Sequence, residues 1–225
     1  MVYKRKYRKR ARSYKRSRKK SRRKRRKYRG GMSITRVRRL GFPDAMFRKH
    51  VWTAEFTPTL TTTYSNTFRL NDLTNLDSLS SKPLLYDQIS AMYAHFRVRA
   101  CKVIIRVVNL NEEVLDCVMM PSTTTTNPDD TEQMSQQPYA VRWSVGAKNG
   151  GHNIKSRSCF VTSKNIVGEK LYSVNWRGGN GLSPANIIYQ HLYIESQSGG
   201  DMQCAVQVKL KLYVHWSDKR IIDES

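Results

Sequence analysis

Seven apolar residues occupy consecutive even positions near the end of the chain: Cys204, Val206, Val208, Leu210, Leu212, Val214 and Trp216. Between them stand Ala205, Gln207, Lys209, Lys211, Tyr213 and His215. Alternation with a period of two is the signature of a β-strand with one face in a core and the other, mostly polar, turned away from it. The 13 residues from 204 to 216, at about 3.3 Å each, reach roughly 43 Å. That is long for a globular strand and suits a large sandwich.

A second long strand is predicted over 96–109. Phe96 and Val98 set one parity, and Val103, Ile105 and Val107 set the other. The phase slips near Ala100–Lys102, and a β-bulge is the natural cause. Further strands are predicted over 50–70, interrupted at Pro58, and over 114–120, 152–163, 170–176 and 187–196. Amphipathic helices are scarce; only 82–93 and 130–139 suit a short one. Stretches rich in Gly, Pro, Ser, Thr, Asn or Asp at 121–138, 177–184 and 197–201 read as loops. No solenoid-type repeat is present. About eight strands, long loops and few helices predict an all-β fold: an eight-stranded antiparallel sandwich of two sheets, with the jelly roll as its leading version.

Charge divides the chain in two. The first 29 residues hold nineteen lysines and arginines and no acid, and Arg36, Arg38 and Arg39 extend the run. The first acid is Asp44. Residues 1–39 therefore carry +22, and the remainder, with 19 bases and 17 acids, only +2, which together give the +24 of the whole chain. Two domains are predicted: a basic arm over 1–40 and a folded body over 41–225. With only Met1, Val2, Ala11 and four tyrosines to bury, the arm's first 29 residues have little to set against the entropy of ordering, so disorder in solution is expected.

A run this dense with no compensating acid requires a polyanion. The expected nucleic-acid contacts are Lys4, Arg5, Lys6, Arg8, Lys9, Arg10, Arg12, Lys15, Arg16, Arg18, Lys19, Lys20, Arg22, Arg23, Lys24, Arg25, Arg26, Lys27 and Arg29, followed by Arg36, Arg38 and Arg39. Each replaces a counterion at a phosphate, and roughly twenty such contacts make binding steeply salt-dependent. Arginine adds bidentate contacts where lysine is a point charge. Tyr3, Tyr7, Tyr14 and Tyr28 are interleaved, either as spacers or as stacking platforms for exposed bases of a single strand. Nothing in the arm reads base edges in a fixed geometry, so sequence-independent binding is expected. The run also reads as a nuclear-import signal in a eukaryotic host.

Other chemistry is sparse. Cys101, Cys117, Cys159 and Cys204 lie far apart and read as buried reduced thiols in strands. The five histidines are scattered, so no metal or other cofactor is expected. The sequence carries no phosphate-binding loop, nucleophile elbow, His-Glu-x-x-His or dinucleotide fingerprint, and no catalytic residue is expected. Glu112-Glu113 and Asp129-Asp130 read as solvated turn charge, and Arg177-Gly-Gly as a plain turn. No stretch suits a transmembrane helix or a signal peptide, and the arm has no apolar face for a membrane surface.

Two stretches carry a family resemblance. Residues 93–105, Tyr-Ala-His-Phe-Arg-Val-Arg-Ala-Cys-Lys-Val-Ile-Ile, resemble the aromatic–Arg–Val–x–x–x–Lys–Val strand of circovirus-like capsid proteins, where it follows an extended segment and begins the long C strand. Residues 206–218 resemble that family's final strand, with its Tyr-Val-x-aromatic ending. The likeness covers the ends of the body; nothing between Pro121 and Gly151 aligns. It implies a viral jelly roll with a disordered basic N-terminal arm, assembled as a homo-oligomer of about sixty copies in an icosahedral shell around a single-stranded circular DNA genome. It also implies passage through host nuclear-import receptors, so that the expected locations are the virion and the host nucleus. Sixty arms would supply roughly 1,300 positive charges, enough to balance most of a genome of about one to two thousand nucleotides. By the same resemblance Arg48 and Lys49, with Arg36, Arg38 and Arg39, would line the inner surface, and 121–138 would be an exposed loop near a symmetry axis. A small RNA virus capsid protein, a ribosomal-type protein with a basic extension, and an enzyme with a localisation tail are the competing readings. The near-neutral body counts against the second, and the missing motifs against the third.

Overall fold

The computed structural model describes residues 43–77, 80–126, 130–168 and 173–220. The arm and all its candidate residues, Tyr3 to Arg39, lie outside the described residues. Among the described residues ten strands form: β1 (Met46–Phe56), β2 (Thr59–Thr61), β3 (Thr63–Arg69), β4 (Tyr93–Asn109), β5 (Leu115–Ser122), β6 (Val141–Val145), β7 (Ile154–Thr162), β8 (Gly178–Gly179), β9 (Tyr189–Ser196) and β10 (Met202–Lys219). Three short helices accompany them among the described residues: α1 (Tyr86–Met92), α2 (Thr131–Ser135) and α3 (Ser163–Val167).

The strands lie in two antiparallel sheets, ordered β1-β10-β4-β7 and β3-β9-β5-β6, with β2 added to β10 and β8 to β4. Setting aside the short β2 and β8, the first of the eight principal strands pairs with the last, the second with the seventh, the third with the sixth and the fourth with the fifth. That is one long hairpin rolled up until β10 meets β4 and β9 meets β5. The fold is the predicted jelly-roll sandwich. Lettered B to I in chain order, the strand holding Phe96 is strand D, not C, because β1 and β3 both precede it.

Alternation builds the core. Every even residue of β10 from Met202 to Trp216 is buried, and these residues pack against Val103, Ile105 and Val107 of β4 and against Leu115, Cys117, Leu192 and Ile194 of the second sheet. The phase slip in β4 is a bulge. Tyr213 pairs with Ala100 and Val214 with Val98, so the register skips Arg99 and both halves of the strand keep their apolar residues inward. One end of the sandwich is closed by aromatic rings: Trp216 lies 5.6 Å from Phe96, 5.9 Å from Tyr86 and 6.3 Å from Tyr93, between ring centroids.

The four cysteines are free and lie in strands, three of them buried and Cys159 half-buried. Burial pushes the Cys204 thiol up to about 11. Both expected helical stretches hold one, α1 within 82–93 and α2 within 130–139. Two expectations need correction. The described part of 170–176 is a 3₁₀ turn, Val174–Trp176, not a strand; residues 170–172 lie outside the described residues. In its place β6 pairs with β5, setting Trp143 opposite Cys117. Arg177-Gly-Gly is likewise more than a turn. Gly178 pairs with Phe96, and a Cβ there would sit 2.2 Å from Phe96 Cζ, so the glycine permits the approach of β8 to the ring.

Candidate nucleic-acid interface

The odd residues of β10 face away from the core, and the register shows what joins them. Successive rows across β1, β10, β4 and β7 read Lys49–Tyr213–Ala100–Thr162, Val51–Lys211–Lys102–Phe160, Thr53–Lys209–Ile104–Ser158 and Glu55–Gln207–Arg106–Ser156. Lys49, Lys102, Arg106, Lys209 and Lys211 therefore share one face. The single carboxylate in these rows is Glu55, which accepts a hydrogen bond from Gln207 Nε2 at 2.6 Å. Among the described residues none of these five cations enters an ion pair. Lys102 and Lys211 are directly opposite one another, an arrangement that destabilises a sheet unless an anion lies between the charges.

Two aromatic rings interrupt this basic face. Phe160 is 55% exposed and meets half-buried Tyr213 edge-on, with centroids 6.0 Å apart. The positive field continues toward the aromatic end of the sandwich. His215, opposite Arg97, is held below the usual imidazole range by burial first and then by Arg99, Arg97 and Arg177, with Asp218 opposing.

The other sheet differs. Its outer face pairs its charges, with Arg142 Nη2 on Asp116 Oδ2 at 2.8 Å, and α2 lies across it. Met134, fully buried, packs with Val118, Met120 and Tyr193, and Thr131 Oγ1 donates to Glu195. Asp130 caps α2 by accepting from the Glu132 amide at 3.0 Å. The stretch 121–138 is thus not wholly an exposed loop. Residues 123–126 are exposed, whereas Thr131 and Met134 are buried against the sheet.

Of the sequence-predicted contacts, Arg48 and Lys49 alone are described. Both are exposed on β1, but alternation separates them: Lys49 joins the basic face through Tyr213, and Arg48 lies opposite core-facing Val214. The sequence reading missed Lys102, Arg106, Lys209 and Lys211. The signal was present in the polar parity of β10 and β4, but it required the pairing of the two strands. Among the described residues, no group of three or more His, Cys, Asp or Glu side chains gathers where a metal ion could sit.

The sequence matches no protein-family model and no curated protein. Solved structures are similar at the level of overall fold. Desmodium yellow mottle tymovirus is 10% identical over 83% of this chain and 94% of that one, with a TM-score of 0.48. The empty head of turnip yellow mosaic virus is 13% identical over 83% and 88%, with a TM-score of 0.47. The 60-mer BFDV capsid protein is 13% identical over 82% and 100%, with a TM-score of 0.45.

Proposed function

We propose that this protein is the structural subunit of a small icosahedral virus, in which copies of the jelly roll form a closed shell and the basic arm gathers a single-stranded circular DNA genome inside. The observation that supports this most is the partition of charge: +22 on residues 1–39 and +2 on the rest, joined to a jelly-roll body. Packaging needs cations delivered per subunit and no reading of bases. A near-neutral body leaves the copies free to pack against one another, since large like charge would oppose association. The same arm serves as the nuclear-import signal that brings the subunit to the replicating genome. Lys49, in the body, is a further candidate contact.

Removing residues 1–29 tests the division of labour. Nineteen cations go with them. The shortened protein keeps its β-sheet circular dichroism and loses most of the slope of log K against log salt for single-stranded DNA. An unchanged slope overturns the arm's role.

A further inference from the structure

The basic arm need not be the whole of the contact with nucleic acid. We propose that the outer face of the β1-β10-β4-β7 sheet binds single-stranded nucleic acid, with phosphates on Lys49, Lys102, Lys209 and Lys211 and a base stacked on Phe160 or Tyr213. This deepens the packaging reading and rests on it: it assigns to the body a fixed surface that turns toward the genome.

Three observations carry the inference. First, the cations are unopposed. Lys102 faces Lys211 across the β4–β10 pairing, and among the described residues neither has a carboxylate partner. Lys209 sits one row further along the same face. Same-face neighbours on a strand are about 6.6 Å apart, of the order of the distance between successive phosphates in an extended strand. A phosphate between Lys102 and Lys211 relieves their repulsion and gains two charge-assisted contacts.

Second, the aromatic rings lie within the basic rows, not beside them. Phe160 pairs directly with Lys102, and Tyr213 lies between Lys49 and Ala100. A phenylalanine 55% exposed among lysines has no core to serve. A sheet face that offers aromatic rings among cations stacks the free faces of unpaired bases, which a duplex keeps inside its own stack. The ligand class is therefore single-stranded.

Third, the alternative surface is occupied. The outer face of β3-β9-β5-β6 is covered by Met134 and Thr131 of α2 and carries the Arg142–Asp116 ion pair. Among the described residues no helix covers the basic face, whereas α2 lies across the other.

Two measurements on the full chain test this. The first is ultraviolet cross-linking to oligo-dT followed by peptide mapping. Adducts are expected at Phe160 or Tyr213 in addition to arm peptides. The second is anisotropy titration of a single-stranded oligonucleotide across a salt series. The double variant Lys102→Gln/Lys211→Gln lowers the slope of log K against log salt by about 0.7, for the one phosphate the two lysines share on a single strand, with the arm intact. At high salt, Phe160→Ala weakens single-strand binding about fivefold or more and leaves duplex binding unchanged, and Phe160→Trp restores it. These side chains are outside the core, so the variants fold. Adducts confined to residues 1–42, together with an unchanged slope, overturn the face and leave the arm's role standing. A wild-type chain that does not bind single strands overturns the packaging reading itself.

Discussion

The indole N–H of Trp216 donates to Nε2 of His50 across 3.2 Å inside the aromatic end of the sandwich. On the other side of the ring, Nδ1 lies 3.4 Å from the carbonyl oxygen of Leu84, where it donates. Both nitrogens of a neutral imidazole are thus used, and a proton on Nε2 would point at another N–H. Burial, the largest cause, and then Arg48 hold the His50 pKa below its ordinary value, against the Leu84 bond. His191 repeats the arrangement between Thr124 O at 2.9 Å and Thr67 Oγ1 at 3.1 Å, and burial lowers it too.

Both histidines take up protons more readily in the unfolded chain, so acid favours unfolding. Their contribution is fully present above about pH 6.5 and is lost as the pH falls below it. The melting temperature of the full chain is expected to fall between about pH 7 and pH 5, and to fall less in Trp216→Phe, which no longer sets an N–H against a protonated His50. At pH 7 the same variant leaves His50 Nε2 without its donor and destabilises the body by about 1–3 kcal/mol, measured by urea unfolding.

Gly178 tests the packing of β8 on β4. A methyl group there would stand 2.2 Å from Phe96 Cζ, so Gly178→Ala is expected to destabilise by about 1–3 kcal/mol through overpacking. Gly150→Ala is the control, because a Cβ at that position meets nothing within 4 Å. Equal unfolding midpoints for the two variants would contradict the placement of β8.

Met134 holds α2 on the second sheet. Met134→Ala is expected to cost about 2–5 kcal/mol, and limited proteolysis should then cut between residues 123 and 140 far faster than in the wild type. Unchanged cleavage would mean that α2 does not cover this face.

Much of this architecture is legible along the chain. β10 announces itself because its alternation never breaks, and the slip in β4, expected near Ala100–Lys102, marks a bulge that the register places one residue earlier, at Arg99. β6 escapes because five residues with Arg142 and Ser144 among them offer too few apolar positions to set a parity; burial of Trp143 and Val145 by β5 and its neighbours makes the strand. Residues 173–176 mislead in the opposite direction, since Val174 and Trp176 suit a strand as well as a turn that docks one indole. The basic face is hidden for a different reason. A body of net +2 looks uniform until β4 and β10 pair, which sets Lys102 opposite Lys211 and leaves most acids on other surfaces. Arg48 and Lys49 show the converse: adjacent in sequence and alike in charge, they are parted by the alternation of β1.

The import role of the arm has a simple readout. A fluorescent fusion of residues 1–39 is expected to accumulate in nuclei, and replacing the cations of 15–27 with glutamine should abolish the accumulation. A cytoplasmic wild-type fusion would remove import from the account.

Assembly around nucleic acid is the property on which the packaging role stands or falls. The full chain, expressed alone and imaged by negative-stain electron microscopy, is expected to form uniform closed particles. Nucleic acid inside them should resist nuclease until the shell is opened, and single-stranded DNA supplied during assembly should be protected in the same way. A stable monomer across salt and pH, with and without single-stranded DNA, would contradict the account.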